Sequence, residues 1–299
     1  MKHGDIRVGI SGWRYKGWRG VFYPEGLRQK DELAFAAQAF RTVEINGTFY
    51  SLQRPAYFTA WRDATPDGFV FAVKGPRFIT HMLKLTRSET PLANFFGNGV
   101  LALGAKLGPI LWQFPPNFRF NAEKLAGFFT KLPRDTEAAA KLARRHDYRI
   151  TGRAWLRTDA KRPLRYAMEI RHESFRCREF IELLREHEVA LVVADTVEWP
   201  LLFDVTADFV YCRLHGSEQL YASGYETPAL NKWAKRIVAW SQGAELRDGD
   251  CAHPNKAHKA ARDVFVYFDN DAKVRAPFDA RALQDRVDHL LHTPRFRRP

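Results

Sequence analysis

The sequence predicts an α/β barrel of the TIM type, with eight parallel strands each followed by a helix. Eight short runs rich in Val, Ile, Phe and Tyr recur along the chain, each ending at polar or turn residues. Between them lie stretches with helical period and helix-start residues, and strands that alternate with helices imply a parallel sheet. Eight such units fit the 299 residues. The alternative is an open doubly wound sheet, which usually carries a glycine-rich phosphate turn after its first strand. Here Gly9-Ile10-Ser11-Gly12-Trp13 has the wrong glycine spacing and no following helix start, and no Walker loop occurs.

The strands are read at Val8–Ser11, Thr42–Asn46, Phe69–Lys74, Ile110–Phe114, Tyr166–Arg171, Leu191–Asp195, Phe209–Leu214 and Val264–Asn270. A helix over Asp31–Phe40 follows the first. Pro55 opens Pro55–Asp63 at its first turn. Pro91–Leu107 reads as one helix weakened by glycines. Asn121 caps a helix through Leu132, Thr136–His146 continues after Pro133-Arg134-Asp135, and Ser174 caps Phe175–His187. Thr227 and Pro228 open a helix to Trp240, and Phe278–Leu291 closes the chain. Only the link from Asp195 to Phe209 lacks a helix signal; Pro200 and Asp204 read there as loop. With no internal repeat and no linker, the expectation is one barrel domain over 1–299, with basic irregular segments near 147–163 and 241–261.

The formal net charge is +13, and the isoelectric point is near 9.8. From Lys141 to Arg165 nine basic residues meet only Asp147 and Asp159, so this stretch carries +7 of the excess. Lys256, Lys259 and Arg262 form a second cluster with His253 and His258, and Arg295, Arg297 and Arg298 a third. Such clusters suit a polyanion or nucleic acid, or are solvated surface. No helix-turn-helix, zinc-finger or RNA-recognition signature accompanies them. Segments that precede a strand belong to the N-terminal face of a barrel, so this charge is expected opposite the pocket.

No apolar run approaches the ~20 residues of a membrane span, and Met1-Lys2-His3-Gly4-Asp5 has no apolar signal core. Cys177, Cys212 and Cys251 are too few and too far apart for a disulfide framework or a closed zinc site. A cytoplasmic protein with no membrane partner is the expectation.

Barrel chemistry sits at the C-terminal strand ends, where residues two apart point to the same side. Those ends carry Glu44 and Asn46, Lys74, Gln113, Glu169 with Arg171 and His172, Asp195, Arg213 with His215, and Asp269-Asn270. Each alone could be a strand-end salt bridge. Together they line one rim at a desolvation cost that pairing or a ligand must offset. The following loops add Trp13, Tyr15 and Trp18, Phe49 and Tyr50, Thr80 and His81, and Tyr221 and Tyr225. Their rings either stack on a ligand or pack between loop and barrel. Glu44, Lys74, Glu169, Asp195 and His215 are the candidate catalytic residues. Tyr15, Trp18, Asn46, Tyr50, His81, Gln113, Arg171, His172, Arg213, Tyr225 and Asn270 are the candidate ligand-binding residues.

These motifs, in order, resemble the domain-of-unknown-function family 72, also called YecE-like. The resemblance rests on Gly9-Ile10-Ser11-Gly12-Trp13 with Tyr15, Trp18 and Phe22-Tyr23-Pro24, then Val43-Glu44-Ile45-Asn46 to Phe49-Tyr50, and Phe71-Ala72-Val73-Lys74 with Thr80-His81. Leu111-Trp112-Gln113-Phe114-Pro115-Pro116, Glu169-Ile170-Arg171-His172, Asp195, Arg213-Leu214-His215-Gly216 and Tyr267-Phe268-Asp269-Asn270 continue it across nearly the whole chain. It implies a TIM-type barrel with the motif residues around one pocket, and no particular reaction. Gly47-Thr48 stands where Ser-Thr is usual in the family.

Three functions fit. The leading one is hydrolysis of a phosphate-bearing or other anionic substrate. It would be assisted by a divalent metal on Glu44, Glu169, Asp195, His172, His215 and His81, with Lys74, Arg171 and Arg213 on the anion. The second is metal-free acid–base chemistry on a sugar, glycosidase- or isomerase-like, with Glu44 and Glu169 as the carboxylate pair. There Lys74 is a base, or an imine-forming amine if its pKa is lowered, which neighbouring carboxylates oppose. The third is a barrel that binds an anionic metabolite, a protein or nucleic acid without turnover.

Overall fold

The computed structural model describes residues 2–216, 223–246, 248–254, 260–271 and 273–292. Eight parallel strands close into a barrel in chain order. They are β1 Ile6–Ser11, β2 Thr42–Ile45, β3 Val70–Lys74, β4 Leu107–Gln113, β5 Tyr166–Glu169, β6 Val189–Asp195, β7 Phe209–Leu214 and β8 Asp263–Phe268. β8 pairs back on β1, with Val8 opposite Val266, so no sheet edge is left open. The TIM-type expectation holds.

The helices are α1 Glu32–Ala39, α2 Gly47–Tyr50, α3 Pro55–Asp63, α4 Glu89–Gly97, α5 Ala122–Phe129, α6 Thr136–Ala143, α7 Arg178–Glu186, α8 Thr227–Ser241 and α9 Ala276–His292. The single helix expected over Pro91–Leu107 is broken. Gly99 takes φ +118°, and a 3-10 run, Val100–Lys106, leads into β4. The helix expected from Phe175 starts at Arg178. His172, not Ser174, caps the short turn before it, and the Ser174 hydroxyl accepts from the Phe120 amide instead.

Side chains alternate along each strand, and the register divides them cleanly. Ala72, Leu111, Ala167, Ala190, Val192, Ala194, Phe209, Tyr211, Phe265 and Tyr267 fill the barrel interior as one buried cluster. Alanines from β3, β5 and β6 leave room for the rings from β7 and β8. Tyr211 and Tyr267 lie 5.1 Å apart. Ile10, Val43, Trp112, Met168, Val193, Cys212 and Phe268 face outward into the larger core beneath the helices.

As expected, no helix links β6 to β7. An extended run takes its place. The Thr206 hydroxyl pairs with Val189 and Leu191 on β6, and Phe203 packs on Trp233 and Trp240 of α8. Asp204 accepts the Ala252 and His253 amides, so residues 250–253 cover this flank.

The expected placement of the basic segments is corrected. α6 starts near the N-terminal side, where Asp135 bridges to Pro163 ahead of β5. It therefore climbs parallel to the strands rather than against them. Its continuation delivers Asp147 to Asn94 and Arg153 to the Gln53 carbonyl, beside the loop after β2, before descending to β5. Of segment 241–261, residues 248–254 run along the flank: Asp250 pairs with Arg176 beyond β5, and the His253 carbonyl accepts from Arg185 at the far end of α7. Lys256, His258, Lys259, Arg295, Arg297 and Arg298 lie outside the described residues. Among the described residues no helix is long and apolar enough to cross a membrane.

Gly9 faces the barrel interior, and a Cβ there would stand 2.1 Å from the Thr42 carbonyl oxygen. That oxygen is backbone and cannot swing aside. Gly9→Ala is expected to destabilise the fold by about 2 kcal/mol through overpacking, read from urea unfolding midpoints. An unchanged midpoint would contradict the tight β1–β2 approach.

Candidate active site at the barrel mouth

Above the Tyr211 and Tyr267 layer the interior turns polar. Arg213, the next inward residue on β7, is fully buried. Its Nη1 donates to Glu169 Oε2 at 2.7 Å, and its Nη2 to Glu44 Oε1 at 2.9 Å and Asp269 Oδ2 at 2.8 Å. One guanidinium thus ties β2, β5, β7 and the residue after β8. The Ser11 hydroxyl joins Glu44 from β1, and Tyr211 donates to the other Glu44 oxygen from below. Asn46 donates to the Ser11 hydroxyl, and Tyr15 to the Ser11 carbonyl. Gly12 turns the chain there at φ +82°, where a Cβ would meet the Tyr15 hydroxyl at 2.8 Å. Arg171 donates to Glu169 Oε1 and stacks on Trp199, 3.8 Å from the ring centre. His215 Nδ1 lies 3.2 Å from Asp269, and its ring meets Trp199 edge-on.

Burial alone would raise the carboxyl pKa values of Glu169 and Asp269. The Arg213 charge outweighs it and holds both well below the usual carboxylate range. Such a group is a poor general acid. Asp271, just outside, is pushed up to about 6 by burial and by Asp269.

Lys74 differs from the other cations. It is 7% exposed, and its Nζ makes no ion pair or hydrogen bond among the described residues. It sits over the Phe49 ring, 4.3 Å from the centroid. Burial, then Arg213, bring its ammonium down to about 8 against the pull of Glu44 and Asp269. His81 packs on the same ring from 5.1 Å, with Nδ1 bonded to the Thr80 hydroxyl. Burial and the charges of Arg171 and Lys74 hold it down to about 4, so it is neutral at pH 7.

A cavity of about 350 Å³ opens beside Asn46. Tyr15 and Tyr50 line it, and Arg14 is its one charged lining residue. Trp13 Nε1 and Asn46 Oδ1, both on lining residues, are buried polar atoms without a hydrogen-bond partner among the described residues. Gln113, which is opposite Glu169 in register and shares its inward side, leaves its Oε1 equally unmet.

The structure therefore brings together Glu44, Lys74, Glu169, His215, Arg171, Arg213, Gln113, Asn46, Tyr15 and His81, with Tyr50 at the outer edge. Five other candidates lie elsewhere. Asp195 is outward, because Ala190, Val192 and Ala194 are the inward residues of β6; it accepts from Trp233 Nε1 of α8. Tyr225 accepts the Gly216 amide and bonds Asp195 behind the barrel wall. Asn270 donates to Asp279 of α9 and to the Ser223 carbonyl. Trp18 is fully buried between Tyr15, Phe22 and Tyr23. His172 is a backbone cap. Tyr221 lies outside the described residues. Ser11 and Trp199 join the site without having been singled out for it, and so does Asp269, named at the eighth strand end but passed over for Asn270 among the candidate residues. Alternation could have found two: Phe265 and Tyr267 lead to Asp269, and Gly9 leads to Ser11. Trp199, in the helix-less loop, left no signal.

The donor set does not fit a divalent metal. Glu44, Glu169 and Asp269 already spend oxygens on Arg213, and among the described residues no group of three or more His, Cys, Asp or Glu is arranged around a common point.

Comparison with known proteins agrees with this architecture. A family model described as protein of unknown function DUF72 matches residues 7–298. UPF0759 protein YecE of Escherichia coli K12 is 30% identical over 145 residues, 42% of this chain and 51% of that protein. UPF0759 protein YunF of Bacillus subtilis is 29% identical over 130 residues, 40% of this chain and 44% of that protein. The chain thus spans about half the length of the curated relatives it matches. A DUF72 family protein from Thermotoga maritima superposes with a TM-score of 0.70 at 24% identity, covering 95% of this chain and 99% of that one. One from Enterococcus faecalis gives 0.66 at 17%, covering 95% of each. At these identities the two structures share the fold.

Arg213→Met leaves the buried Glu44 and Glu169 and the partly buried Asp269 facing one another, at a cost of about 3–5 kcal/mol. The pH dependence identifies the cause. In the native chain Glu169 and Asp269 titrate below their unfolded pKa values, so their stabilisation is complete above about pH 5 and is lost as pH falls further. In Arg213→Met burial raises those pKa values, so stability should climb as pH drops from 7 to 5. Urea unfolding across that range tests it; parallel curves for the two proteins would refute the assignment.

Proposed function

We propose, for a chain that belongs to the DUF72 family, that the barrel mouth binds a small anionic molecule and performs metal-free proton transfer on it. Lys74 is the base. The observation that carries this reading is a buried amine at a strand end with no ion partner among the described residues, which burial brings down to about 8. Glu44 and Glu169, the carboxylate pair expected from the sequence, serve instead as the anionic counterweight that holds Arg213. The neutral His81 donates or accepts a hydrogen bond at the reacting oxygen. The cavity beside Asn46 takes the rest of the molecule, and Arg14 gives it a cationic wall for a phosphate or carboxylate.

Hydrolysis remains compatible with this reading when Lys74 draws a proton from water, and isomerisation when it draws one from carbon. In either case the rate should rise with pH through about 8 as the amine loses its proton. A thermal-shift screen of phosphorylated and carboxylated sugars comes first. A binding anion at 100 times its Kd should add about 2.7 kcal/mol of stability, and its uncharged counterpart none. Lys74→Met should fold and lose turnover. If no anion shifts the midpoint, or if turnover survives in Lys74→Met, the reading fails.

A second reading, a polyanion such as nucleic acid on the basic segments, is favoured by Arg149 and Arg153 standing at the C-terminal side. Arg149 lines a cleft with Tyr50, and Arg153 holds the Gln53 carbonyl. Neutralising both to Gln should lower the salt slope of duplex binding by about 1 to 2. An unchanged slope removes this reading.

A further inference from the structure

The proposed proton transfer leaves open how Lys74 meets its substrate. The amine is poised for more than proton removal: it sits at a strand end, over the Phe49 face, with no ion partner, beside the neutral His81. The carboxylates that would normally hold a lysine as an ion pair are spent on Arg213, which takes one oxygen from each of Glu44, Glu169 and Asp269. Arg171 takes the other oxygen of Glu169, and Tyr211 the other oxygen of Glu44. Carboxylates beside a lysine keep it charged and so oppose an imine, but here those carboxylates are committed to Arg213, Arg171 and Tyr211.

From this juxtaposition we infer that Lys74 is a covalent nucleophile that forms an imine with an aldehyde or ketone carrying a carboxylate or phosphate. The inference rests on the small-anion reading of the barrel mouth, and for a carbonyl substrate it replaces proton removal by Lys74 with imine formation at the same nitrogen.

The step balances without a co-reactant. The lone pair of the neutral amine attacks the carbonyl carbon, the C–N bond forms, and the π pair moves to oxygen, which takes a proton. Nitrogen gives up its two protons in turn, one balancing the proton taken by that oxygen and one balancing the proton with which the hydroxyl leaves as water, and the C=N bond forms; nothing is oxidised or reduced. His81, on the same Phe49 ring, is placed to carry the proton to the departing oxygen. The anionic group would lie toward Arg14, in the cavity whose remaining lining is uncharged.

Reductive trapping on the full chain tests this. The protein is incubated with glyoxylate, with glyceraldehyde 3-phosphate or with uncharged glyceraldehyde, in the presence of cyanoborohydride, and the peptides are mapped by mass. One stable adduct per chain is expected, on Lys74. It should form with an anionic aldehyde at least about tenfold faster than with glyceraldehyde, the factor one charge-assisted contact supplies. Whether glyoxylate or the phosphate ester is faster identifies the anionic group. Inorganic phosphate should slow the labelling, and Lys74→Arg, which keeps the charge but not the nucleophile, should abolish it at an unchanged unfolding midpoint. Peptide mapping of the native chain stands by itself should that variant fold poorly. Labelling spread evenly over surface lysines, with phosphate still binding by calorimetry, overturns the imine and leaves the small-anion reading intact. Even labelling without phosphate binding overturns both.

Discussion

The mouth of this barrel depends on one guanidinium. Arg213 is removed from water altogether and holds a carboxylate from β2, one from β5 and one from the residue after β8, with the Ser11 hydroxyl of β1 at 3.1 Å. An unpaired arginine there would be prohibitively costly, and so would three carboxylates without it. Each therefore requires the others. The requirement is geometric as well as electrostatic, since the planar fork accepts partners only in fixed directions. The strand ends it joins lie on both sides of the barrel, so the network also sets the shape of the opening.

That arrangement explains why Lys74 is chemically distinct. Counting charges at the mouth, Arg213, Arg171 and Lys74 face Glu44, Glu169 and Asp269. The distribution is uneven, because Arg213 engages all three acids and Arg171 shares one of them. Lys74 is left in the summed field without an ion pair among the described residues, over the Phe49 face and largely shielded from water. The ion network is therefore more than a stabilising feature. By consuming the acids it frees an amine, and His81 beside it is kept neutral by burial and by the same positive field. Structure and reactivity at this mouth are two results of one distribution of hydrogen bonds.

The irregular parts of the chain follow from the regular ones. Without a helix between β6 and β7, the outer face of those strands needs another cover, which Phe203, Asp204 and residues 250–253 supply. The added helix α6 runs parallel to the strands, so the chain after it arrives at the C-terminal side and must descend again to β5. This detour carries Arg149 and Arg153 toward the rim, near Tyr50.

Alternation and element order determined much of this protein in advance. The eight strand runs, the absent helix before Phe209 and the concentration of polar groups at the strand ends are all visible in the residues, because period and burial are local properties. The same local rule, followed two residues at a time, points to Asp269 and Ser11 and turns Asp195 and Asn270 away; choosing the last residue of a run instead of its parity is what misplaced them. Other features had no local signature. Trp18 and Trp199 are both aromatic loop residues, yet one is core and the other stacks on Arg171, a difference set by which loop folds over which strand. The path of segment 147–163 depended on the direction of α6. The state of Lys74 depended on which acids Arg213 occupies across the barrel. These are matters of long-range pairing, in which Arg213 takes an acid 169 positions away in the chain, and only the closed barrel brings the two together.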